Sequence, residues 1–136
     1  MTKSEILAFL NANRSCYLAT VEGNIPHVRA IGIHQADEDG IIIQACVLKD
    51  VHKQLCNNQN VELCFLKECV QIRVSGIVEF INDIEFRNEV IAKRAVLNDI
   101  VEKHGNEVIT IYRLRHGLAT VWTHYTDLRP KSYVEL

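Results

Sequence analysis

The sequence predicts a mainly β protein: a closed or nearly closed antiparallel β-barrel of six to seven strands, decorated by three helices. Three observations carry that reading. Short runs of β-branched, aromatic and small residues recur along the chain, separated by turn signals such as Glu22-Gly23-Asn24 and Asp37-Glu38-Asp39-Gly40. One run alternates cleanly, with Val70, Ile72, Val74, Gly76, Val78 and Phe80 on one face and Gln71, Arg73, Ser75 and Glu79 on the other. Helical periodicity is confined to the start of the chain and to two connections. Many short strands with helices at their connections bury their apolar faces most completely by closing the sheet. The 136 residues, 48% of them hydrophobic, make one domain (1–136) able to bury roughly two-thirds of its unfolded surface. No repeat, linker or low-complexity segment interrupts it.

In order along the chain, Thr2-Lys3-Ser4-Glu5 has the spacing of a capping box, and Ile6, Leu7 and Leu10 give the helix behind it one apolar face, ending near Asn11 to Asn13. Cys16 to Val21 and Ile25 to His34 read as a hairpin. Ile41 to Cys46 forms a third strand, apolar enough to be buried on both faces. Asp50 is placed to cap a second helix through Leu55, which Asn57 to Asn60 end. Val61 to Leu66 is a fourth strand, and the alternating run is the fifth. Asp83 to His104 reads as the longest helix, with Phe86, Val90, Leu97 and Val101 as its buried stripe and Gly105 as its stop. Val108 to Arg115 and Leu118 to His124 are two final strands joined by a tight His116-Gly117 turn. The tail after Arg129-Pro130-Lys131 offers Tyr133 and Val134 for another strand or for a neighbouring subunit.

Charge and composition narrow the function. With 15 Lys+Arg against 17 Asp+Glu the formal net charge is −2, which gives no basis for a phosphate-backbone surface or for attachment to an anionic membrane. Neither a nucleic-acid partner nor a membrane is expected, and any bound anion must be small and held locally. Neither a signal peptide nor a membrane span is visible. Five cysteines, odd in number and without a C-x-x-C pair, read as reduced thiols in a cytoplasmic setting. His52 and Cys56 stand four apart on the second helix as half of a metal site, but nothing nearby completes it, so no metal is expected. No Ser/His/Asp set, glycine-rich phosphate loop or paired carboxylates give hydrolase chemistry a foothold.

Two cations stand out. Arg29 shares a strand face with Ile31 and Ile33, an awkward position for a guanidinium unless something anionic meets it. Lys49 immediately precedes a helix, where backbone amides and the helix dipole already favour an anion. Together they could hold a phosphate, with arginine as a planar fork and lysine as a point charge. Spacing alone favours the plainer reading, in which Arg29 snorkels to the barrel rim and Lys49 is a solvated loop charge. Trp122, the only tryptophan, shares a face with Thr120 and His124; on its own it reads as well as a core or interface residue as a ligand contact.

These residues resemble the pyridoxamine 5′-phosphate oxidase-like flavoproteins, which share the FMN-binding split barrel. The resemblance spans Ile6 to about His124 and is strongest in Tyr17 to Val21 with Pro26-His27-Val28-Arg29, in Lys49 to Leu55 with Asn60 to Cys64, and in Gln71 to Gly76. It implies that Arg29 and Lys49 contact the FMN phosphate and that backbone amides at Ala30, Ile31, Ala45 and Cys46 serve the cofactor. It further implies that Gln71 approaches the flavin ring and that Trp122 packs on a flavin held largely by the other subunit of a homodimer. The expected activity is a small FMN-dependent oxidoreductase with a small-molecule electron donor or acceptor; no catalytic residue is assigned. Pyridoxamine phosphate is not the expected substrate, since the chain is shorter than the true oxidases and shows no counterpart to their C-terminal substrate-binding segment. The chain departs from the family pattern at Ala30, where many members carry proline, at Ala45-Cys46, where hydroxyls are usual, and at Leu48, often basic or polar. Those departures keep a second reading open, a non-catalytic FMN- or haem-binding module on the same fold.

Overall fold

The computed structural model describes all 136 residues. Helix α1 (Lys3–Ala12) is closed by the expected capping box: Glu5 N–H donates to Thr2 Oγ1 at 3.2 Å and Thr2 N–H to Glu5 Oε2 at 2.6 Å. Strands β1 (Ser15–Glu22), β2 (Ile25–Asp37) and β3 (Gly40–Cys46) form a meander, followed by α2 (Asp50–Asn57), β4 (Asn60–Lys67) and the long β5 (Val70–Ile81). Asp50 proves to be the first residue of α2 rather than its cap. Lys49 occupies the capping position in extended conformation and makes no side-chain capping bond. No helix is long and apolar enough to cross a membrane.

Antiparallel pairing runs β1-β2-β3-β6-β5-β4 and returns from β4 to β1, a closed six-stranded barrel in which β6 is Ile109–Leu114. The closing seam is short, with Tyr17, Leu18 and Ala19 opposite Cys64, Leu63 and Glu62. Inward-facing Leu18, Ile33, Ile41, Ile43, Leu63, Phe65, Ile72 and Val74 fill the interior, and α1 and α2 feed Ile6, Leu10, Val51 and Leu55 into the same core. As its composition implied, β3 is buried on both sides. Ile41 and Ile43 face the barrel, while Ile42 and Cys46 face a second cluster with Val90, Ile91, Ile109 and Ile111.

The predicted helix over Asp83 to His104 is broken. Asp83 caps α3 (Ile84–Lys93), accepting from Phe86 N–H at 3.0 Å, and the chain then leaves helical geometry at Arg94. A 3-10 turn over Ala95–Leu97 leads into a fourth helix, α4 (Asn98–His104), which Gly105 ends at φ 86°. The break follows from a tertiary bond: the Arg94 guanidinium donates through Nη1 to the Ile33 carbonyl of β2 at 3.1 Å. Apolar periodicity runs across the interruption, with Val90 buried and Phe86, Leu97 and Val101 packed at the edge of the second cluster, so the pattern alone reads as one helix.

Strand β5 organises the far side. Along one edge it pairs with β4; along the other it meets β7 (Leu118–Thr123) through Val70–Ser75 and β6 through Val78–Ile81. The last two long strands are thus joined by the predicted tight turn yet are not hydrogen-bonded to each other. The link between them turns at His116, with φ 54°, and passes close over Val74. A two-residue β8 (Val134–Glu135) extends this edge by pairing with β7, the strand-adding role read for the tail.

Two stability predictions follow from packing. A β-carbon at Gly117 would lie 2.4 Å from Leu114 Cδ2 and 2.6 Å from Val74 Cγ1, both buried. Gly117→Ala therefore overpacks the crossing and should cost about 1–3 kcal/mol in urea unfolding. His34 is buried beneath α3 with its ring edge-on to Phe86 at 6.1 Å. Burial lowers its pKa, Lys93, Arg14 and Arg94 lower it further, and Glu89 opposes them. The unfolded chain then takes up this proton first, so the stabilisation is complete above about pH 6.5 and is lost as pH falls through the lower folded-state value. The urea midpoint should drop on acidification from pH 7, and His34→Gln should flatten that slope.

Candidate functional site

The site starts with a divergence of two strands. Pairing between β2 and β3 extends from Asp37 and Gly40 only to Ile33 and Ile43, with a register shift between Ile33 and Gln35. Beyond that point Arg29–Gly32 of β2 and Gln44–Cys46 of β3 separate, and their facing edges have no strand partner. A groove of about 570 Å³ occupies the opening, floored by apolar side chains that include Leu18, Ile43, Val51 and Leu55. Six of the expected site residues line it together: Arg29, Ala30, Ile31, Ala45, Cys46 and Lys49.

Arg29 is held rather than solvated. Its Nη1 donates to Thr20 Oγ1 at 2.7 Å and to the Leu18 carbonyl at 3.2 Å, and its Nη2 donates to Gln54 Oε1 at 2.6 Å. Thr20 Oγ1 in turn donates to Gln54 Oε1 at 2.6 Å. Thr20 and Gln54 are 1% and 3% exposed, so both polar groups are buried for the purpose of fixing the guanidinium. No carboxylate forms an ion pair with Arg29. Burial lowers its pKa and Asp50 counteracts. Lys49 stands at the N-terminal end of α2, where the helix dipole adds to its charge. The pair forms a preorganised positive corner at one end of the groove.

The other end carries polar groups that sequence reasoning missed. Gln44 bridges the split by donating through Nε2 to the Gly32 carbonyl at 3.2 Å, which leaves its Oε1 buried without a partner. Arg94 lies across Gly32, where a β-carbon would come within 2.6 Å of Nη2, and its Nε is buried and unpartnered. Thr20 and Gln54 were missed as well. Their signal was a polar residue at an inward strand position and a glutamine beside Val51 and Leu55 on the buried face of a helix. Arg94 gave no such signal, since it sat inside an uninterrupted helical pattern.

Gln71 and Trp122 lie elsewhere. They are directly opposed across β5 and β7 on the outward face of the sheet, where Trp122 Nε1 donates to Asp127 Oδ1 at 3.0 Å. That face continues in register through Thr120, Arg73, Cys64 and Tyr17. Tyr17, Leu66, Leu118 and Trp122 are all exposed on it. The expected site thus divides between the groove and an aromatic, partly apolar sheet face outside the groove lining. His52 and Cys56 acquire no third metal-ligating side chain; His52 Nδ1 is instead bonded to the Tyr112 hydroxyl.

Comparison with known proteins agrees with this architecture. A nimc/nima family protein from Clostridium acetobutylicum superposes with a TM-score of 0.79 at 23% identity, covering 98% of this chain and 92% of that one. A FAD-binding protein from Mesorhizobium loti gives 0.66 at 14% identity over 90% and 96%. HutZ, the haem storage protein from Vibrio cholerae, gives 0.63 at 15% identity over 98% of both chains. No curated protein matches the sequence. The sequence model described as pyridoxamine 5′-phosphate oxidase matches residues 2–115. With that match over most of its length and a closed barrel split between β2 and β3, the chain belongs to the pyridoxamine 5′-phosphate oxidase family.

Proposed function

We propose that this protein is an FMN-binding flavoprotein, a small flavin-dependent oxidoreductase that works as a homodimer. The observation that carries the reading is Arg29, a half-buried guanidinium fixed by Thr20 and Gln54, lacking a carboxylate partner, and facing the same groove as Lys49. A cation desolvated in this way is stabilised by a fixed anion, and a phosphate monoester suits the arginine fork and the lysine point charge. The rest of the groove suits the remainder of FMN. Its floor is apolar, its two backbone edges have no strand partner, and Gln44 Oε1 is a buried acceptor in want of a donor. Arg29 and Lys49 would hold the phosphate, and the backbone at Ala30, Ile31, Ala45 and Cys46 would meet the polar edges of the ring system. These contacts do not depend on the hydroxyls that Ala45 and Cys46 lack.

When bound, the flavin supplies hydride or single-electron transfer, and the protein's part is to orient it and exclude water. A second copy of the chain supports that role. The outward face bearing Gln71 and Trp122 is uncovered in one copy, and its aromatic and apolar side chains suit an interface that would close another copy's groove. Five free cysteines are compatible with work in a reducing compartment such as the cytoplasm. The structural likeness to a haem storage protein supports a haem-binding alternative, against which stands the absence of any histidine from the groove lining.

The absorption spectrum of the purified protein, with FMN added if it is colourless, should show two flavin bands that bleach on reduction. A Soret band would establish the haem alternative, and a protein that ignores added FMN would end the flavin reading. Removing both cations as Arg29→Ala with Lys49→Ala takes away two charge-assisted contacts of about 1.5–3 kcal/mol each. FMN affinity should then fall at least about 100-fold in a fluorescence titration; an unchanged affinity would move the phosphate elsewhere. Sedimentation should give a dimer that Trp122→Glu weakens, and a monomer at working concentration would exclude the shared site.

A further inference from the structure

A second constellation lies outside the groove, on the exposed side of α2. Cys56 is exposed, and its Sγ is 3.5 Å from His52 Nε2, one helical turn away. On the far side of the same ring, His52 Nδ1 lies 2.5 Å from the hydroxyl of Tyr112, a residue with no exposed surface. Phe80 meets the imidazole edge-on at 6.0 Å and packs on Tyr112 at 4.9 Å. The imidazole is therefore clamped between a buried phenol, an aromatic ring and the thiol, the pattern of a nucleophile paired with a base that a third group orients. A surface depression of about 420 Å³ adjoins the thiol, lined by Lys49, Asp50, Lys53, His52 and Cys56 among others. The other exposed cysteine, Cys69, has no comparable partner.

We propose that Cys56 is a modification site, a thiol that His52 prepares for exchange with small anionic disulfides. Burial keeps the Tyr112 phenol protonated well above its ordinary range. The relay uses the tautomer in which this hydroxyl accepts from Nδ1–H, which leaves a lone pair on Nε2 facing Sγ. The Cys56 proton passes to Nε2, and the thiolate attacks one sulfur of the disulfide. The S–S bond breaks, the electron pair leaves on the other sulfur, and that thiolate recovers the proton from His52. Cys56 is oxidised to a mixed disulfide and half of the reagent is reduced to a free thiol, so atoms and electrons balance. Lys53 lines the approach together with Lys49, which borders both this depression and the groove, and in the flavin-free protein the two favour an anionic reagent over a neutral one; Asp50 is the opposing charge. Cys56 lies in the last turn of α2, where the helix dipole disfavours an anion, so activation falls to His52 and its supports.

The five cysteines make the test self-controlled. The full chain is incubated with glutathione disulfide at pH 7, and adducts at each cysteine are followed by mass spectrometry. Cys56 should react at least ten-fold faster than Cys69, and faster with glutathione disulfide than with neutral 2-hydroxyethyl disulfide. His52→Asn should bring Cys56 to the Cys69 rate, and Tyr112→Phe should lower the ratio and shift its pH profile. Continued protection of the buried Cys16 and Cys46 reports that a variant is folded. Equal rates at Cys56 and Cys69 in the unsubstituted protein overturn the proposal, as does a ratio that folded His52→Asn leaves unchanged. Equal preference for the neutral reagent removes the role of the lysines. If His52→Asn exposes Cys16 and Cys46, Tyr112→Phe decides, and an unchanged ratio and pH profile there count against the relay.

Discussion

Strands β2 and β3 cannot stay paired to their ends, and the rest of the molecule is arranged around that failure. As far as Ile33 and Ile43 the two strands belong to an ordinary barrel wall with inward aliphatic side chains. Past that pair, each strand remains bound to its other neighbour, β1 or β6, while the edges between them open. An unpaired pair of strand edges inside a folded protein is costly unless water, side chains or a ligand satisfies it. Gln44 spans part of the opening and Arg94 seals its far end from outside. What remains is a groove with an apolar floor and polar walls, into which Arg29 and Lys49 bring their charge.

The electrostatic counterpart of the open wall is Arg29. A guanidinium drawn among Leu18, Thr20 and Gln54 gives up hydration and receives three protein acceptors in return, without a neutralising carboxylate. Such an arrangement trades stability for position. The same economy appears at Lys49, which takes the capping position of α2 without capping it, leaving its ammonium for something else. Arg29 is placed by Thr20 and Gln54, whose burial is otherwise hard to rationalise in a barrel this small.

Much of this was legible in the sequence, for identifiable reasons. Alternation in Val70 to Phe80 and the unbroken apolarity of Ile41 to Ile43 report the two burial modes of the strands, and the turn signals report the meander. Arg29 and Lys49 were legible because a cation on an apolar face and a cation before a helix are local anomalies. Arg94 was not, since the break in the helix over 83–104 is imposed by a bond to Ile33, sixty-one positions away, and periodicity carries no trace of a long-range partner. The separate pairing of β6 and β7 with β5, and not with each other, was similarly hidden. A tight turn between two strand-like runs ordinarily signals a hairpin, and only the close packing of Gly117 on Val74 and Leu114 reveals that they lie end to end along β5. That Gln71 and Trp122 fall outside the groove lining, opposed across β5 and β7, lies beyond any local pattern in the sequence.

The short seam between β1 and β4 bears on how the chain acquires this shape. The β1–β2, β2–β3 and β4–β5 pairings join neighbours in sequence across tight turns, so each closes a small loop at low entropic cost. Tyr17 to Ala19 must instead find Glu62 to Cys64 after all of β2, β3 and α2 have intervened, and only three residue pairs reward the search. Such a contact belongs late in folding, after the local hairpins are in place. Leu18 faces Leu63 across that seam and Arg29 across the β1–β2 hairpin, so the strand that closes the barrel also carries the carbonyl that holds the guanidinium. One short strand, β1, thus serves both as the last wall of the barrel and as the backrest of the positive corner.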